Sequence, residues 1–240
     1  MAGAGSGLPI PGHPEPEAVR RMFSAIAHRY DLVNAVLSQG QDRRWRRRAA
    51  QLARIEAGDR ALDVCTGTGA LAVELRRRVG PAGEVVGVDF TPRMIELAQR
   101  SRPGISFRVA DACHLPFGDR EFDAAAIAFG IRNVASPLEA LGEMHRVVRP
   151  GGRVVVLEFS QVHPGLAAAY SWYGRVVIPR LAGALLGEDR AYRYLTESIA
   201  GFPAPATVSG WLHQAGLLPL RVQRMTFGVV AIHVGMRPKH

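Results

Sequence analysis

Lysine is almost missing from this chain: of its 30 basic residues only Lys239 is a lysine, and arginine supplies the rest. Together with an abundance of Ala, Gly and Pro, that shortage points to a compositional bias. The formal charge of +9 is therefore discounted as a sign of nucleic acid or an anionic partner. Two cysteines, Cys65 and Cys113, are too few for a disulfide framework and have no metal-ligand spacing. Reduced thiols and no metal are expected. No apolar run approaches the roughly 18 residues of a membrane span, since even the most apolar stretch, 165–187, is interrupted by Arg175, Pro179 and Arg180. Residues 1–16 lack the apolar centre of a signal peptide and read as a disordered tail. The 240 residues, 48% hydrophobic and 21% charged, otherwise suit one globular domain with a full core.

What is present centres on Arg60 to Gly69. Ala61, Leu62 and Val64 suit a buried parallel strand, and Gly67 and Gly69 follow where such a strand must turn sharply into a helix. A glycine loop at the carboxyl end of a strand is where ligands settle in open α/β sheets. Ala70 and Leu71 stand where a phosphate loop needs Lys and Ser or Thr, and no third glycine supplies a dinucleotide fingerprint. Asp63 offers instead a carboxylate to a positively charged ligand; the bland reading of Gly-x-Gly is only a tight turn. Asp89 ends a second apolar strand 20 residues past Gly69, close to the offset of a ribose-gripping acid. A third strand leads into Asp111-Ala112. Three acids at three successive strand ends read as one pocket.

Strand and helix patterns alternate along the chain. Strands are expected to Val64, to Asp89, over 105–109, 122–128 and 153–158, with helices over 70–78, 92–100 and 137–148 and a turn at Pro150-Gly151-Gly152. A helix from Glu15 to Tyr30 precedes them, then a turn over 34–40. A second helix, 41–55, is expected to show Trp45, Ala49, Leu52 and Ala53 on one side and Arg43, Arg44, Arg46, Arg47 and Arg48 largely on the other, as a solvated face or a contact for lipid phosphates. A last helix, 207–215, and a hairpin of 217–226 and 229–236 complete the chain. Residues 165–187 read as one or two helices, either core or an apolar lid over a lipid-like substrate. The resulting division is a tail (1–16) and one domain (17–240), made of a helical cap (17–58), a ligand-binding core (59–160), a lid (161–206) and the final helix and hairpin (207–240).

Asp63 with Gly67-Thr68-Gly69, Asp89, Asp111-Ala112 and Arg149-Pro150-Gly151-Gly152 resemble the class I methyltransferases that use S-adenosylmethionine. Further motifs resemble the quinone C-methyltransferases within that class: Met22-Phe23, Arg29-Tyr30-Asp31, Trp45-Arg46, Phe129-Gly130-Ile131-Arg132-Asn133-Val134, Leu157-Glu158-Phe159-Ser160, Tyr194-Leu195 and Phe227-Gly228. The resemblance implies a Rossmann-like α/β fold, a mostly parallel seven-stranded sheet with a C-terminal antiparallel hairpin. It implies S-adenosylmethionine held by Asp63, Gly67, Thr68, Gly69, Asp89, Asp111, Ala112 and Ala128. Relatives often carry Ser at Ala128 and Asp at Ala70, so two polar contacts near the cofactor are absent here. The implied acceptor is a prenylated quinol, with demethylmenaquinol first.

A ring carbon becomes nucleophilic once a neighbouring hydroxyl ionises, and a phenol's pKa lies near 10. Arg132 and Asn133 are the candidates for stabilising that oxyanion and orienting the ring; the alternative is that Arg132 pairs with an acid to hold its loop. Tyr30, Glu158 and His233 are secondary candidates for proton handling. The resemblance implies a cytoplasmic enzyme and leaves room for peripheral contact with the inner membrane surface and for a homodimer. A tailoring methyltransferase for a soluble metabolite is the alternative. Nucleic-acid methylation is disfavoured, because Phe129 to Asn133 stands where base-amino enzymes carry an acid or amide followed by two prolines and an aromatic.

Overall fold

A computed structural model of the chain describes residues 16–162, 165 and 189–239. Its centre is a seven-stranded sheet ordered β3-β2-β1-β4-β5-β7-β6. The strands are β1 (Arg60–Val64), β2 (Glu84–Asp89), β3 (Ser106–Val109), β4 (Phe122–Ala128), β5 (Val148–Phe159), β6 (Leu218–Met225) and β7 (Val230–Met236). The first five are parallel, and β7 runs antiparallel between β5 and β6. The chain moves outward from β1 through β2 to β3, then returns to place β4 on the other side of β1. The order reverses there, so the loops at the carboxyl ends of β1 and β4 part and leave a crevice.

Both faces of the sheet are covered, which explains why its strands are apolar throughout rather than alternating. On one face Leu62, Val64, Ile127, Val154 and Val156 pack against Leu141 and Met144 of α6 (Pro137–Val147) and Leu212 of α8 (Pro205–Gln214). On the other, Ala61, Val85, Ala124, Val155 and Leu157 meet Trp45 of α3 (Gln41–Leu52), Leu71 and Leu75 of α4 (Ala70–Val79) and Ile95 of α5 (Pro92–Ser101). Each fully buried Leu, Ile or Val contributes roughly 1.5–3 kcal/mol. Asp63 and Asp89 share the second face, and Glu158 lies on the first.

Three local expectations are corrected. The expected helix from Glu15 to Tyr30 is α1 (Pro16–Ile26), a 3-10 turn over Ala27–Arg29, and α2 (Tyr30–Leu37). The turn expected over 34–40 is shorter, because helix continues to Leu37 and ends where Gln39 and Gly40 take left-handed conformations. Strand β5 starts at Val148 rather than 153: Val148 pairs with Phe122 and Arg153 with Ala124, and the turn residues between them form an irregularity in one ladder. The lid reading of 165–187 lies outside the described residues apart from Gly165; α7 (Asp189–Ala200) follows it.

Candidate active site

The β1-to-α4 loop is built from left-handed residues: Cys65 (φ 54°), Gly67 (φ 55°) and Gly69 (φ 82°). A Cβ at Gly69 would stand 2.8 Å from Cζ of Phe107, so glycine is needed there for space as well as for conformation. Asp89 fastens this loop. Its Oδ2 accepts from the Gly67 N–H and its Oδ1 from the Thr91 N–H, both at 2.9 Å. Burial pushes its carboxyl up, against those two backbone bonds.

Asp63 is 1% exposed, and its Oδ2 accepts from the Thr66 hydroxyl at 2.6 Å. Its Oδ1 is buried with no partner among the described residues. Burial pushes the Asp63 carboxyl up to about 7, with the Thr66 bond, the Ala72 backbone N–H and the charge of Arg46 opposing. A carboxylate held this way gains from any cation placed against it.

The expected solvated arginine face of α3 holds for Arg43, Arg44 and Arg47, whereas Arg48 is half-buried and donates to Gln223 Oε1. Arg46 turns inward, 6% exposed, with Nη1 on Asp42 and its guanidinium 5.2 Å over the Phe129 ring. An acid one turn earlier and an aromatic face make its burial tolerable. A cavity of about 340 Å³ opens beside it, walled by Asp31, Asp42, Arg43, Ala70, Val73, Glu74 and Arg102 among others. The Thr68 hydroxyl donates to Asp31 Oδ1 at 2.5 Å, which ties α2 to the glycine loop.

Asp111 sits farther out. Its side chain is 60% exposed, Oδ1 accepts from the Cys113 N–H at 2.9 Å, and Ala112 is buried beside it. Asp111 is the exposed member of the three acids, and all three act on the Cys65 thiol, whose pKa burial and these charges raise together. Cys65 and Cys113 are free thiols, and burial raises both pKa values.

A second polar cluster closes the ends of β4 and β5. Arg132 Nη1 donates to Glu158 Oε1 at 2.6 Å and to the Phe129 carbonyl at 2.9 Å, and its guanidinium lies 5.2 Å over Phe159. The two side chains of this ion pair are 6% and 1% exposed. Phe129 takes φ 59°, which turns the chain after β4 and aims its carbonyl at Arg132. The Tyr194 hydroxyl donates to Asn133 Oδ1 at 2.9 Å, bringing α7 onto the same cluster. Burial raises the Glu158 and Tyr194 pKa values.

The structure thus gathers Asp63, Gly67, Thr68, Gly69 and Asp89 around one loop and Arg132, Asn133 and Glu158 around another. Ala128, half-buried at the end of β4, lies beside Leu157 in the ladder. His233 is apart from both clusters' hydrogen bonds: its Nδ1 is 3.3 Å from Ser209 Oγ, and burial drives its pKa down to about 4. Roles for Asp31, Arg46 and Tyr194 were missed, although all three stand in the motifs quoted for the resemblance. Spacing carries a sign that Arg46 points inward, since it stands three, four and seven residues before Ala49, Ala50 and Ala53 on the buried side of α3.

A model of the ubiE/COQ5 methyltransferase family matches residues 13–237. The chain is 50% identical over 222 residues to a demethylmenaquinone methyltransferase of Thermus thermophilus, covering 90% of this chain and 100% of that protein. It is 41% identical over 228 residues to a ubiquinone/menaquinone biosynthesis C-methyltransferase of Geobacter sp., covering 92% and 97%. An S-adenosylmethionine-dependent methyltransferase structure from Thermotoga maritima shares the fold at a TM-score of 0.65 and 19% identity, covering 92% of this chain and 100% of that one. A Haemonchus contortus phosphoethanolamine N-methyltransferase in complex with S-adenosylmethionine does so at 0.57 and 14% identity, covering 78% and 50%.

Proposed function

Because this chain belongs to the ubiE/COQ5 methyltransferase family, we propose that it methylates a ring carbon of a prenylated quinol with S-adenosylmethionine, demethylmenaquinol being the acceptor. Methyl transfer to carbon in quinone biosynthesis is the activity named for relatives that match 90% or more of the chain. The observation that carries the acceptor side is the Arg132–Glu158 pair, buried at the ends of β4 and β5, with Asn133 beside it.

The residues fit the cofactor. The unpartnered Oδ1 of Asp63 suits the cationic amino-acid end, and the inward guanidinium of Arg46 suits its carboxylate. Asp89 is clamped to Gly67 and Thr91, which fixes its direction for ribose hydroxyls. Thr68 and the backbone of Gly67 and Gly69 line the methionine end, Ala128 borders the same end, and Asp111 with Ala112 border the adenine. When bound, the cofactor supplies a methyl group on a sulfonium sulfur. Transfer is an in-line displacement, in which the protein's contribution is chiefly position. Arg132 holds a fixed positive charge for the acceptor's oxyanion, and Asn133 orients the ring.

Among the described residues no helix is long and apolar enough to cross a membrane. A lipid acceptor is met instead by peripheral contact, from the cytoplasmic side, with an anionic surface. Exposed Arg43 and Arg44 on α3 and the exposed Phe227 at the β6–β7 turn support that contact. The test incubates the protein anaerobically with S-adenosylmethionine and reduced demethylmenaquinone or a panel of soluble phenols, then locates the added methyl by mass spectrometry. Carbon methylation of the quinol is expected. Methylation of the soluble compounds alone, or on oxygen, overturns the acceptor assignment.

A further inference from the structure

We infer that Glu158 is the base that removes the proton from the acceptor's ring hydroxyl, receiving it on Oε2. The inference rests on the quinol reading above. Its first support is the state of the carboxylate itself. Oε1 is fully engaged, accepting from Arg132 Nη1 at 2.6 Å and from the Phe159 N–H at 2.9 Å. Oε2 is buried and makes no well-formed hydrogen bond among the described residues, although the Arg132 backbone N–H also favours the ionised carboxylate. A buried carboxylate oxygen without a donor is costly, and a hydroxyl placed against it removes that cost. One oxygen clamped and the other open also fixes the direction from which a proton can arrive.

The second support is elimination among the groups that face the site. Arg132, from the turn after β4, is a permanent cation and has no lone pair to offer. Asn133 does not titrate. Tyr194, from α7, spends its hydroxyl proton on Asn133, and burial favours its neutral form. His233 shares the Glu158 face of the sheet but is engaged with Ser209, and burial leaves it weakly basic. Among the described side chains of this cluster Glu158 is the remaining acceptor of a proton, and burial raises its pKa toward the range that suits a base.

The step balances without any further reagent. The O–H bond of the acceptor breaks and its proton joins Oε2, while the electron pair stays on oxygen. That pair raises the nucleophilicity of the ring carbon, which takes the methyl group as the carbon–sulfur bond breaks with its pair left on sulfur. The same ring carbon then loses its hydrogen as a proton to water, aromaticity returns, and the product oxygen stays ionised until it is reprotonated. The proton on Glu158 is released before the next turnover. Through the first transfer the buried charge is constant: Arg132 faces an ionised Glu158 before it and an ionised acceptor oxygen after it. No new charge is buried.

The test compares the parent enzyme and Glu158→Gln on short-tailed demethylmenaquinol and on ring-halogenated analogues of lower hydroxyl pKa. The glutamine keeps an oxygen for Arg132 and loses the base. Turnover on the ordinary acceptor is expected to fall at least about 100-fold, and to recover at least about tenfold as the acceptor becomes more acidic. Calorimetric affinity for S-adenosylmethionine is expected to hold, whereas the melting temperature is expected to fall, because the buried Arg132 loses its counter-charge. Equal turnover, or an equal loss on every acceptor, overturns the role. A measurement on the parent alone covers a variant that does not fold: the rising limb of its kcat against pH belongs to Glu158 and must stay in place as the acceptor's pKa changes. A limb that moves with the acceptor overturns the inference. A parent enzyme inactive on every quinol overturns the quinol reading as well, whereas an active parent with an unaffected variant overturns the base alone.

Discussion

Tyr194 and Asn133 are joined by a 2.9 Å hydrogen bond between a hydroxyl on α7 and the side-chain carbonyl of the turn after β4. Tyr194 is 3% exposed, so this bond is made out of water. It sets the direction of the Asn133 amide, whose Nδ2 among the described residues has a long, 3.5 Å contact to the Phe129 carbonyl. Tyr194→Phe keeps the ring and deletes the bond. With a buried hydrogen bond worth about 0.5–1.5 kcal/mol, turnover on the quinol should fall roughly 2- to 12-fold. Affinity for S-adenosylmethionine, measured by calorimetry, should not change; a parallel loss of cofactor binding would place Tyr194 in the wrong site.

Gly69 illustrates a different constraint. Gly69→Ala places a methyl group in a left-handed position and 2.8 Å from the Phe107 ring. Left-handed strain costs about 1–2 kcal/mol, and displacement of Phe107 adds to it. The melting temperature should fall and cofactor affinity should fall with it, since the loop backbone is displaced. A variant that melts with the parent and binds equally well would mean that the loop relaxes freely.

The course of the sheet was legible because it depends on local patterns. Apolar runs ended by Asp89 and by Gly67-Thr68-Gly69 give β1, β2 and the loop between them, and the structure places β1 (Arg60–Val64), β2 (Glu84–Asp89) and β4 (Phe122–Ala128) at the expected residues. The hairpin expected over 217–226 and 229–236 is β6 and β7. What spacing cannot convey is which partner a side chain meets when that partner is remote in sequence. Arg46 falls at helical spacing with the buried Ala49, Ala50 and Ala53, so its side of the helix was legible, but the Phe129 ring that its guanidinium covers comes from another element and was not. Arg132 was weighed both as an oxyanion partner and as one half of an ion pair. The pair with Glu158, 26 residues on, exists, and it leaves the guanidinium a fixed charge rather than a mobile one. The break in the first helix at Ala27–Arg29 was equally hidden, since its apolar spacing continues through it.

Asp63 makes the ligand-free protein sensitive to pH. Its folded pKa of about 7 exceeds the unfolded value near 3.9, so its contribution to stability is complete below pH 4 and is lost as the pH rises through 7. His233 acts in the opposite sense: its folded pKa of about 4 lies below the unfolded value near 6.5, so stability is lost as the pH falls from 6.5 to 4. Asp63→Asn removes the first effect and leaves the second. The variant should melt above the ligand-free parent at pH 8, by on the order of 1–3 kcal/mol, and the two should converge by pH 4. A cation bound at Asp63 favours its ionised form, so cofactor binding to the parent at pH 6 should release a proton. Calorimetry in buffers of different ionisation heat reads that proton directly, and none should be released from the variant at this position. Identical melting at pH 8 would contradict the raised pKa of Asp63.

The turn between β6 and β7 holds Thr226 at φ 48°, Phe227 at φ 55° and Gly228 at φ 92° in succession. The Trp45 indole N–H donates to the Thr226 hydroxyl at 2.8 Å, so α3 holds this turn in place. Phe227 is 75% exposed, and the turn adjoins the end of β5, where the Ser160 N–H bonds the Val229 carbonyl. A left-handed phenylalanine costs about 1–2 kcal/mol and glycine does not, while glycine's looser unfolded chain returns about 0.4–1 kcal/mol of that gain. Phe227→Gly should therefore leave the protein as stable as the parent or more so, by up to about 1.6 kcal/mol. If the exposed ring meets the lipid surface, the same change should weaken sedimentation with anionic vesicles and slow methylation of a vesicle-borne quinol, while a short-tailed acceptor in solution reacts at the parental rate. Gain in stability with loss of vesicle binding is the signature of a strained residue kept for contact. Vesicle binding equal to the parent's would remove Phe227 from the membrane-facing surface.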